Sequence, residues 1–243
     1  LYFAAVAVHH PITPSDEMRG MSDCGPYGDF IQDLDLCTGR ILDALEYMNL
    51  TENTIIIFTS DNGGDIPGLR GAAARPEDQA VEMGLKTNGE LRGDKHTIWE
   101  GGTRVPFMVV WPGRLKEGTV SHDMINLLDV FATVCDITDG SLPEDKNIAP
   151  DSISFMQSLL GEGNKKARTS MVTADAKGVH AIRKDNWKFI ENKNLKGEQK
   201  GSPRLFNLAD DPAEREDLYR EKPRVAETLA EELECIRKAE YTR

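Results

Sequence analysis

The sequence predicts an α/β protein, and three observations carry that reading. An apolar, strand-like opening (Leu1 to Val8), an amphipathic helix and a β-branched run (Thr54 to Ser60) follow one another. Strand, helix, strand in that order implies a right-handed crossover and a mainly parallel sheet. Beyond about residue 165 short strands alternate with polar turns, which predicts a smaller α+β subdomain with an antiparallel sheet. The expected division is therefore 1–164 for the larger α/β part and 165–243 for the smaller one.

Each element has its own signal. Leu1 to Val8 is continuously apolar and aromatic, as in a strand covered on both faces, and Pro11 and Pro14 end it. From Tyr27 to Met48, Phe30, Ile31, Leu34, Ile41, Leu42, Leu45 and Met48 recur at three- and four-residue steps, giving an amphipathic helix. Gly63 to Gly93 lacks periodicity, and a loop of that length in a compact domain is expected to line a site. Val105 to Trp111 reads as a strand stopped by Pro112-Gly113. Met124 to Ile137 and Ile153 to Leu160 read as helices. Ser170 to Ala174, Val179 to Glu191 and Arg204 to Leu208 read as antiparallel strands. Lys222 to Lys238 reads as a closing helix with Val225, Leu229, Leu233 and Ile236 on one face.

Composition narrows the function classes. At 243 residues, 39% hydrophobic and 29% charged, the chain is long enough for a substantial core. A net charge of -12 argues against non-specific nucleic-acid binding, while leaving room for an anionic ligand met by local cations. No apolar run is long enough to cross a bilayer, so no membrane partner is expected. Cys24, Cys37, Cys135 and Cys235 form no C-x-x-C pair, which removes zinc ribbons and thioredoxin-type redox sites. The opening inside a strand without an initiating Met reads as a fragment.

Chemistry concentrates in two clusters. Thr54 to Ser60 runs into Asp61-Asn62-Gly63-Gly64, where a carboxylate and an amide offer adjacent hard oxygens and Gly turns the backbone away. Asn-Gly also signals a hairpin turn, but Asp65-Ile66-Pro67-Gly68 supplies no second strand. Asp61 and Asn62 are therefore the candidate ligands of a divalent cation. The second cluster runs from Leu91 to Pro106 and holds Lys95 between Gly93 and Glu100-Gly101-Gly102. A lysine there can meet an anion and stabilise charge on a leaving oxygen. His9 and His10 stand where the first strand is expected to end, the position at which open α/β sheets gather ligand-binding groups. Glu100 and Arg104 read as structural, Gly101 and Gly102 as serving the bend, and Arg70, Arg75, Arg92 and His96 as solvated surface.

In this order, His9-His10-Pro11, Asp61-Asn62-Gly63 and Lys95 followed by Glu100-Gly101-Gly102-Thr103-Arg104-Val105-Pro106 resemble the formylglycine-dependent sulfatases of the alkaline phosphatase superfamily. Gly25-Pro26-Tyr27-Gly28-Asp29, Trp111-Pro112-Gly113, Ala181 to Ile190, Leu205 to Leu208 and Asp211 to Glu214 add landmarks along the chain. The resemblance is to the C-terminal half of such an enzyme only. It implies part of an alkaline-phosphatase-like sandwich, a Ca2+ ion (or Mg2+) held partly by Asp61 and Asn62, and a sulfate-ester substrate. It also implies that Lys95 contacts the sulfate and leaving oxygen. His9, which fits the His-x-Pro pattern, would hydrogen-bond the sulfate or help protonate the leaving group, with His10 as the fallback one register away. A periplasmic, secreted or lysosomal setting is what the resemblance implies for location.

The departure from the family is large. The formylglycine nucleophile arises from a Cys or Ser in C/S-x-P/A-x-R, and no such segment exists here; Cys24-Gly25-Pro26-Tyr27-Gly28 has Gly28 where Arg is required. The early Asp pair of the family is missing as well. The expected partner is accordingly the missing N-terminal half of the catalytic domain, in the same parent chain or a second polypeptide. Two other readings stay open: a non-catalytic truncated module, and a phosphoester or phosphonate hydrolase of the same superfamily.

Overall fold

The computed structural model describes residues 1–145, 147–161, 168–194 and 196–239, excepting the side chain of Arg70. Helix α1 (Gly25–Tyr47) opens on Gly25 at φ +65° with Pro26 in its first turn. Its start is tied down by Asp29, whose carboxylate accepts from the Gly20 and Ser22 amides at 2.8 Å each. Tyr27, Gly28, Asp29 and Phe30 are buried, whereas Ile31, Leu42, Tyr47 and Met48 further along are exposed. Strand β1 (Ile56–Thr59) follows, then α2 (Pro76–Glu82), the single-turn α3 (Glu100–Thr103) and β2 (Phe107–Val110). Helices α4 (Asp129–Ile137) and α5 (Met156–Leu160) come next.

The α/β class holds, but the expected parallel crossover does not form among the described strands. Leu1 to Val8 belongs to no strand, and residues 1–6 are exposed; a ladder needs a neighbour, and among the described residues no strand pairs with it. Strand β1 pairs instead with β2, antiparallel, from Ile56 opposite Val110 to Thr59 opposite Phe107. The long Gly63 to Gly93 loop is also less irregular than its composition suggests. Pro76 opens α2 inside it, and the Asp78 carboxylate accepts from the Arg75 and Gly68 amides at 2.9 and 2.8 Å. Helix α4 starts later than Met124 because Asp129 accepts from the Asn126 amide at 2.8 Å, fixing the turn before it. Asp129 also pairs with buried Arg168, Nε to Oδ2 at 3.1 Å, which fastens α4 to the chain entering the C-terminal sheet.

That sheet is β3 (Ser170–Ala174), β4 (Val179–Lys184), β5 (Trp187–Asn194) and β6 (Arg204–Asn207), antiparallel in sequence order. The Val179 to Glu191 run divides at Asp185, which takes φ +51° in the turn between β4 and β5. The period-2 alternation of these strands makes two apolar faces. Ile182, Phe189 and Leu205 meet Ala226, Leu229 and Leu233 of α6 (Pro223–Ala239). Val179, Ala181, Ile190 and Phe206 face the other way and pack with Leu208 on Ile98, with Trp99 against the cluster.

On the Ile98 side β5 also carries Lys188, 2% exposed. Its ammonium donates to the Ile98 carbonyl at 2.8 Å and to Glu100 Oε1 at 2.9 Å. Glu214 Oε1 lies 2.8 Å from the same nitrogen but off the hydrogen-bond direction, while Glu214 Oε2 accepts from the Glu100 amide at 2.6 Å. Arg183 stands 3.9 Å from the far oxygen of Glu100. Burial pushes the Glu214 carboxyl above the usual range, against the opposing pull of Lys188.

Removing Lys188 leaves two buried carboxylates facing each other, so Lys188→Met is expected to cost about 3–5 kcal/mol, read from the urea midpoint at neutral pH. Glu214 predicts a pH dependence with a definite sign. Its folded-state affinity for a proton exceeds that of the unfolded chain, so its contribution to stability is complete below the unfolded value of 4.5. That contribution is lost as pH rises through the folded value. Glu214→Gln should therefore lose less stability than the parent between mildly acidic and neutral pH in parallel urea titrations.

Candidate active site

Past β1 the chain turns through Ser60 to Gly64, and backbone-to-backbone contact holds that turn. The Gly63 amide donates to the Gly102 carbonyl at 3.1 Å, and a Cβ on Gly63 would stand 1.8 Å from the Gly101 oxygen. A Cβ on Gly102 would meet the Thr97 and Asp94 oxygens at 2.4 and 2.5 Å. Only residues without side chains permit this stacking. Asn88 closes it: its Oδ1 accepts from the Gly64 amide at 2.7 Å, and its Nδ2 lies 3.2 Å from both the Gly64 and Gly93 carbonyls. Buried Asp94 accepts from the Ile66 amide at 3.1 Å, and the Lys95 amide donates to the Gly64 carbonyl at 3.0 Å.

This lock brings the two sequence clusters together. Asp61 is exposed and Asn62 half-buried at the turn that Lys95 grips through Gly64. The Asn62 amide nitrogen donates to the Gly63 carbonyl at 2.9 Å, so the amide oxygen is the end available to a cation. Across the site, Lys95 Nζ stands 3.0 Å from His9 Nε2. His9 Nδ1 lies 3.0 Å from the His10 carbonyl and must donate to it, which leaves Nε2 as the acceptor facing the ammonium. The ring tautomer is thus set by the backbone on one side and by Lys95 on the other.

The sulfatase family matches residues 1–141, and the C-terminal region of N-sulphoglucosamine sulphohydrolase matches residues 89–239. The chain belongs to the sulfatase family. It is 34% identical over 98% of its length to an N-acetylgalactosamine-6-O-sulfatase of Bacteroides thetaiotaomicron, and 28% identical over 99% to arylsulfatase A of Bos taurus, covering 47% of each. A solved sulfatase structure from work on glycosaminoglycan metabolism by Bacteroides thetaiotaomicron superimposes with a TM-score of 0.82 at 34% identity, over 96% of this chain and 48% of that one. A Pseudoalteromonas sp. sulfatase shares the fold, with a TM-score of 0.75 at 24% identity, over 98% of this chain and 48% of its own. The chain spans about half the length of the curated relatives it matches.

Sulfatases in general bring a metal ion and a formylglycine to this site, and the residues present fit the metal only in part. Asp61 and Asn62 are hard oxygen donors of the kind calcium and magnesium take, but calcium asks for about six to eight oxygens. Among the described residues no group of three or more His, Cys, Asp or Glu could hold a metal. The donor chemistry suits the ion; the donor number falls short.

Several residues around the site carry more than the sequence pattern indicates. His10 is clamped: its Nε2 lies 2.9 Å from Glu77 Oε1, 2.7 Å from Arg75 Nη1 and 3.8 Å from Asp65. Tyr27 beside this group has its phenol pushed up to about 12, by burial first and then by Glu77 and Asp65. Arg92 is not simply solvated, since it lies 3.7 Å over the Trp99 ring and donates to the Glu214 carbonyl at 2.8 Å. Burial, ahead of neighbouring Arg204, lowers its pKa. His96 is exposed at φ +76°, and its carbonyl accepts from Ala176 in the β3–β4 turn at 3.3 Å. Glu100 is structural, as its place before the glycines suggests, and Arg104 is exposed. The Arg70 side chain lies outside the described residues. No local pattern announces Glu77, Asn88 or Asp94; each acts on residues distant in the sequence.

Gly63→Ala must push the turn away from Gly101, with an expected cost of about 1–3 kcal/mol or more. Urea unfolding gives the size of that loss. Faster amide exchange at Gly63 and Lys95 than in the parent would locate it at the lock.

Proposed function

We propose that this chain supplies the cation- and sulfate-binding half of a sulfuric ester hydrolase. The observation that carries this reading is the His9–Lys95 contact at 3.0 Å, with Lys95 tied through Gly64 to the turn bearing Asp61 and Asn62. Lys95 holds an ammonium next to an acceptor nitrogen, so a sulfate oxygen arriving there replaces or shares its N–H bond to His9. As the ester oxygen departs with growing negative charge, the same ammonium stabilises it, and His9 Nε2, the acceptor facing that ammonium, would serve the sulfate or the leaving oxygen as a donor only after taking up a proton. Asp61 and Asn62 would hold a calcium or magnesium ion together with ligands from outside this chain. When bound, that ion adds positive charge against the sulfate.

The nucleophile is assigned to a segment outside this chain, because no Cys or Ser here stands in the modification motif. The same fact supports a second reading, a non-catalytic sulfatase-like module. The surface favours a covering segment such as the other half of the catalytic domain: Leu1, Tyr2 and Val6, Met108 and Val110 of β2, Leu128 just before α4 and Phe131 within it are all exposed. The domain division at residues 164 and 165 belongs to this proposal too. The substrate we favour is the sulfate ester of an amino sugar, since a relative matched over 98% of the chain is an N-acetylgalactosamine-6-O-sulfatase. No helix among the described residues is long and apolar enough to cross a membrane. A periplasmic, secreted or lysosomal setting is proposed on family grounds.

The test uses the full enzyme containing this chain, assayed on a sulfated amino sugar and an aryl sulfate. Lys95→Ala is expected to lower kcat/KM by roughly 10²–10³, and Asp61→Ala to raise the calcium needed for half-maximal rate. The 243-residue chain alone should show no turnover. Turnover by the isolated chain, or a full enzyme indifferent to Lys95→Ala, would sink the assignment.

A further inference from the structure

We infer that Asn88 is a positioning residue for Lys95, acting through the Gly64 peptide. The inference rests on the assignment of Lys95 to the sulfate site. Asn88 lies in the loop after α2, in a turn that needs nothing from its side chain. The Gly89 amide donates to the Lys86 carbonyl at 2.9 Å and the Leu91 amide to the Asn88 carbonyl at 3.1 Å, so backbone groups alone close that turn. Among the described residues the Asn88 side chain bonds only to Gly64 and Gly93, both outside the turn. Gly64 stands two residues past Asn62, and Gly93 two residues before Lys95.

The amide uses its full bonding capacity on these two backbones. Oδ1 accepts from the Gly64 amide at 2.7 Å, and Nδ2 gives its two hydrogens to the Gly64 and Gly93 carbonyls at 3.2 Å each. The Gly64 carbonyl accepts from the Lys95 amide as well, at 3.0 Å, so one oxygen joins Asn88 to Lys95. A Cβ on Gly64 would stand 2.2 Å from the Thr87 methyl, so the turn bearing Asn88 rests directly on this peptide. Without the Asn88 amide, the Gly64 peptide loses the grip on both of its polar groups and can tilt while keeping its bond to Lys95. Tilting carries the Lys95 backbone along and moves the ammonium relative to His9 Nε2, 3.0 Å away. A shift of about 1 Å is enough to matter at a reacting centre. An asparagine that served stability alone would leave the Lys95–His9 contact as it is in every molecule that stays folded. A positioning asparagine changes that contact in the folded protein.

The experiment is a long-range 1H–15N spectrum of the full enzyme containing this chain, labelled with 15N-histidine, with His9 assigned from a His9→Gln sample. Lys95→Ala gives the His9 Nε2 signal without its ammonium neighbour. Asn88→Ala, folded by far-UV circular dichroism, is expected to shift that signal from the parental position toward the Lys95→Ala position. The double variant is expected to coincide with Lys95→Ala, as two changes acting through one contact must. A folded Asn88→Ala enzyme with the parental His9 signal overturns the inference. So does a double variant that differs from Lys95→Ala, because Asn88 then reaches His9 by another route, and so does a Lys95→Ala signal identical to the parent. Should Asn88→Ala not fold, Asn88→Asp decides: its oxygen still accepts from the Gly64 amide, while both carbonyls lose their donor. A shifted His9 signal in that variant supports the proposal and a parental one overturns it. The readout needs no turnover, so a failed sulfatase assignment, seen in the kinetics, is a separate result.

Discussion

Lys188 is the group on which the geometry of the site depends. An ammonium 2% exposed on a sheet otherwise faced by Ala181, Ile190 and Phe206 is costly to bury, and Glu100, Glu214 and the Ile98 carbonyl surround it. Those partners lie far apart in sequence, so the cluster joins three stretches of chain: the loop leading into α3, strand β5 and the segment after β6. An apolar contact of equal area would hold these elements near one another. The directional bonds also set the register of residues 98 to 100 on the sheet, and Arg92, laid over Trp99 and bonded to the Glu214 carbonyl, closes the arrangement from outside.

From that anchor the constraint passes to the chemistry by close approach of backbones. Once Glu100 is fixed, Gly101 and Gly102 follow directly, and Gly63 rests on them with no space for a side chain. The turn bearing Asp61 and Asn62 is therefore located by contacts that tolerate almost no displacement. Lys95 is located by the same stack, through Gly64. The C-terminal sheet contributes no residue to the proposed chemistry, yet its Ile98-facing side is the floor on which the Gly-rich loop is laid.

What the sequence reveals about this molecule follows the range of the interactions. Helices and strands set by local periodicity, such as α1, β3, β6 and α6, are legible to within a few residues, whereas β4 and β5 read as one run that Asp185 divides. The proximity of His9 to Lys95 follows from the order of family motifs rather than from any pattern in the residues themselves. Leu1 to Val8 reads as a strand because its composition is right, but a strand is defined by its neighbour, and sequence composition says nothing of whether one is there. The same limit hides the β1–β2 pairing, since Ile56 and Val110 carry no mark of each other. Helix α2 is missed because a Pro start and an Asp cap inside a Gly- and charge-rich loop look like turn chemistry until Asp78 is seen holding the Gly68 amide. Asn88 and Glu77 are invisible for a related reason: a polar residue in a loop is ordinary, and only its distant partners make it matter.

The incomplete donor set and the exposed apolar surface have one physical explanation. Open α/β sheets gather their ligands at strand ends, and a hard cation takes oxygens from several such ends at once. Here one strand end carries Asp61 and Asn62, and among the described residues β1 and β2 pair only with each other, so each has one unpaired edge. Outward-facing Met108 and Val110 alternate with half-buried Phe107 and Val109, the pattern of a strand whose second face expects a cover. Strands that completed this sheet would carry their own termini to the same edge, and with them the further oxygens that the proposed cation would need. On the proposed function, covering the apolar face and completing the coordination shell would be a single event, so any affinity of the site for metal would be bound up with closure of the sheet.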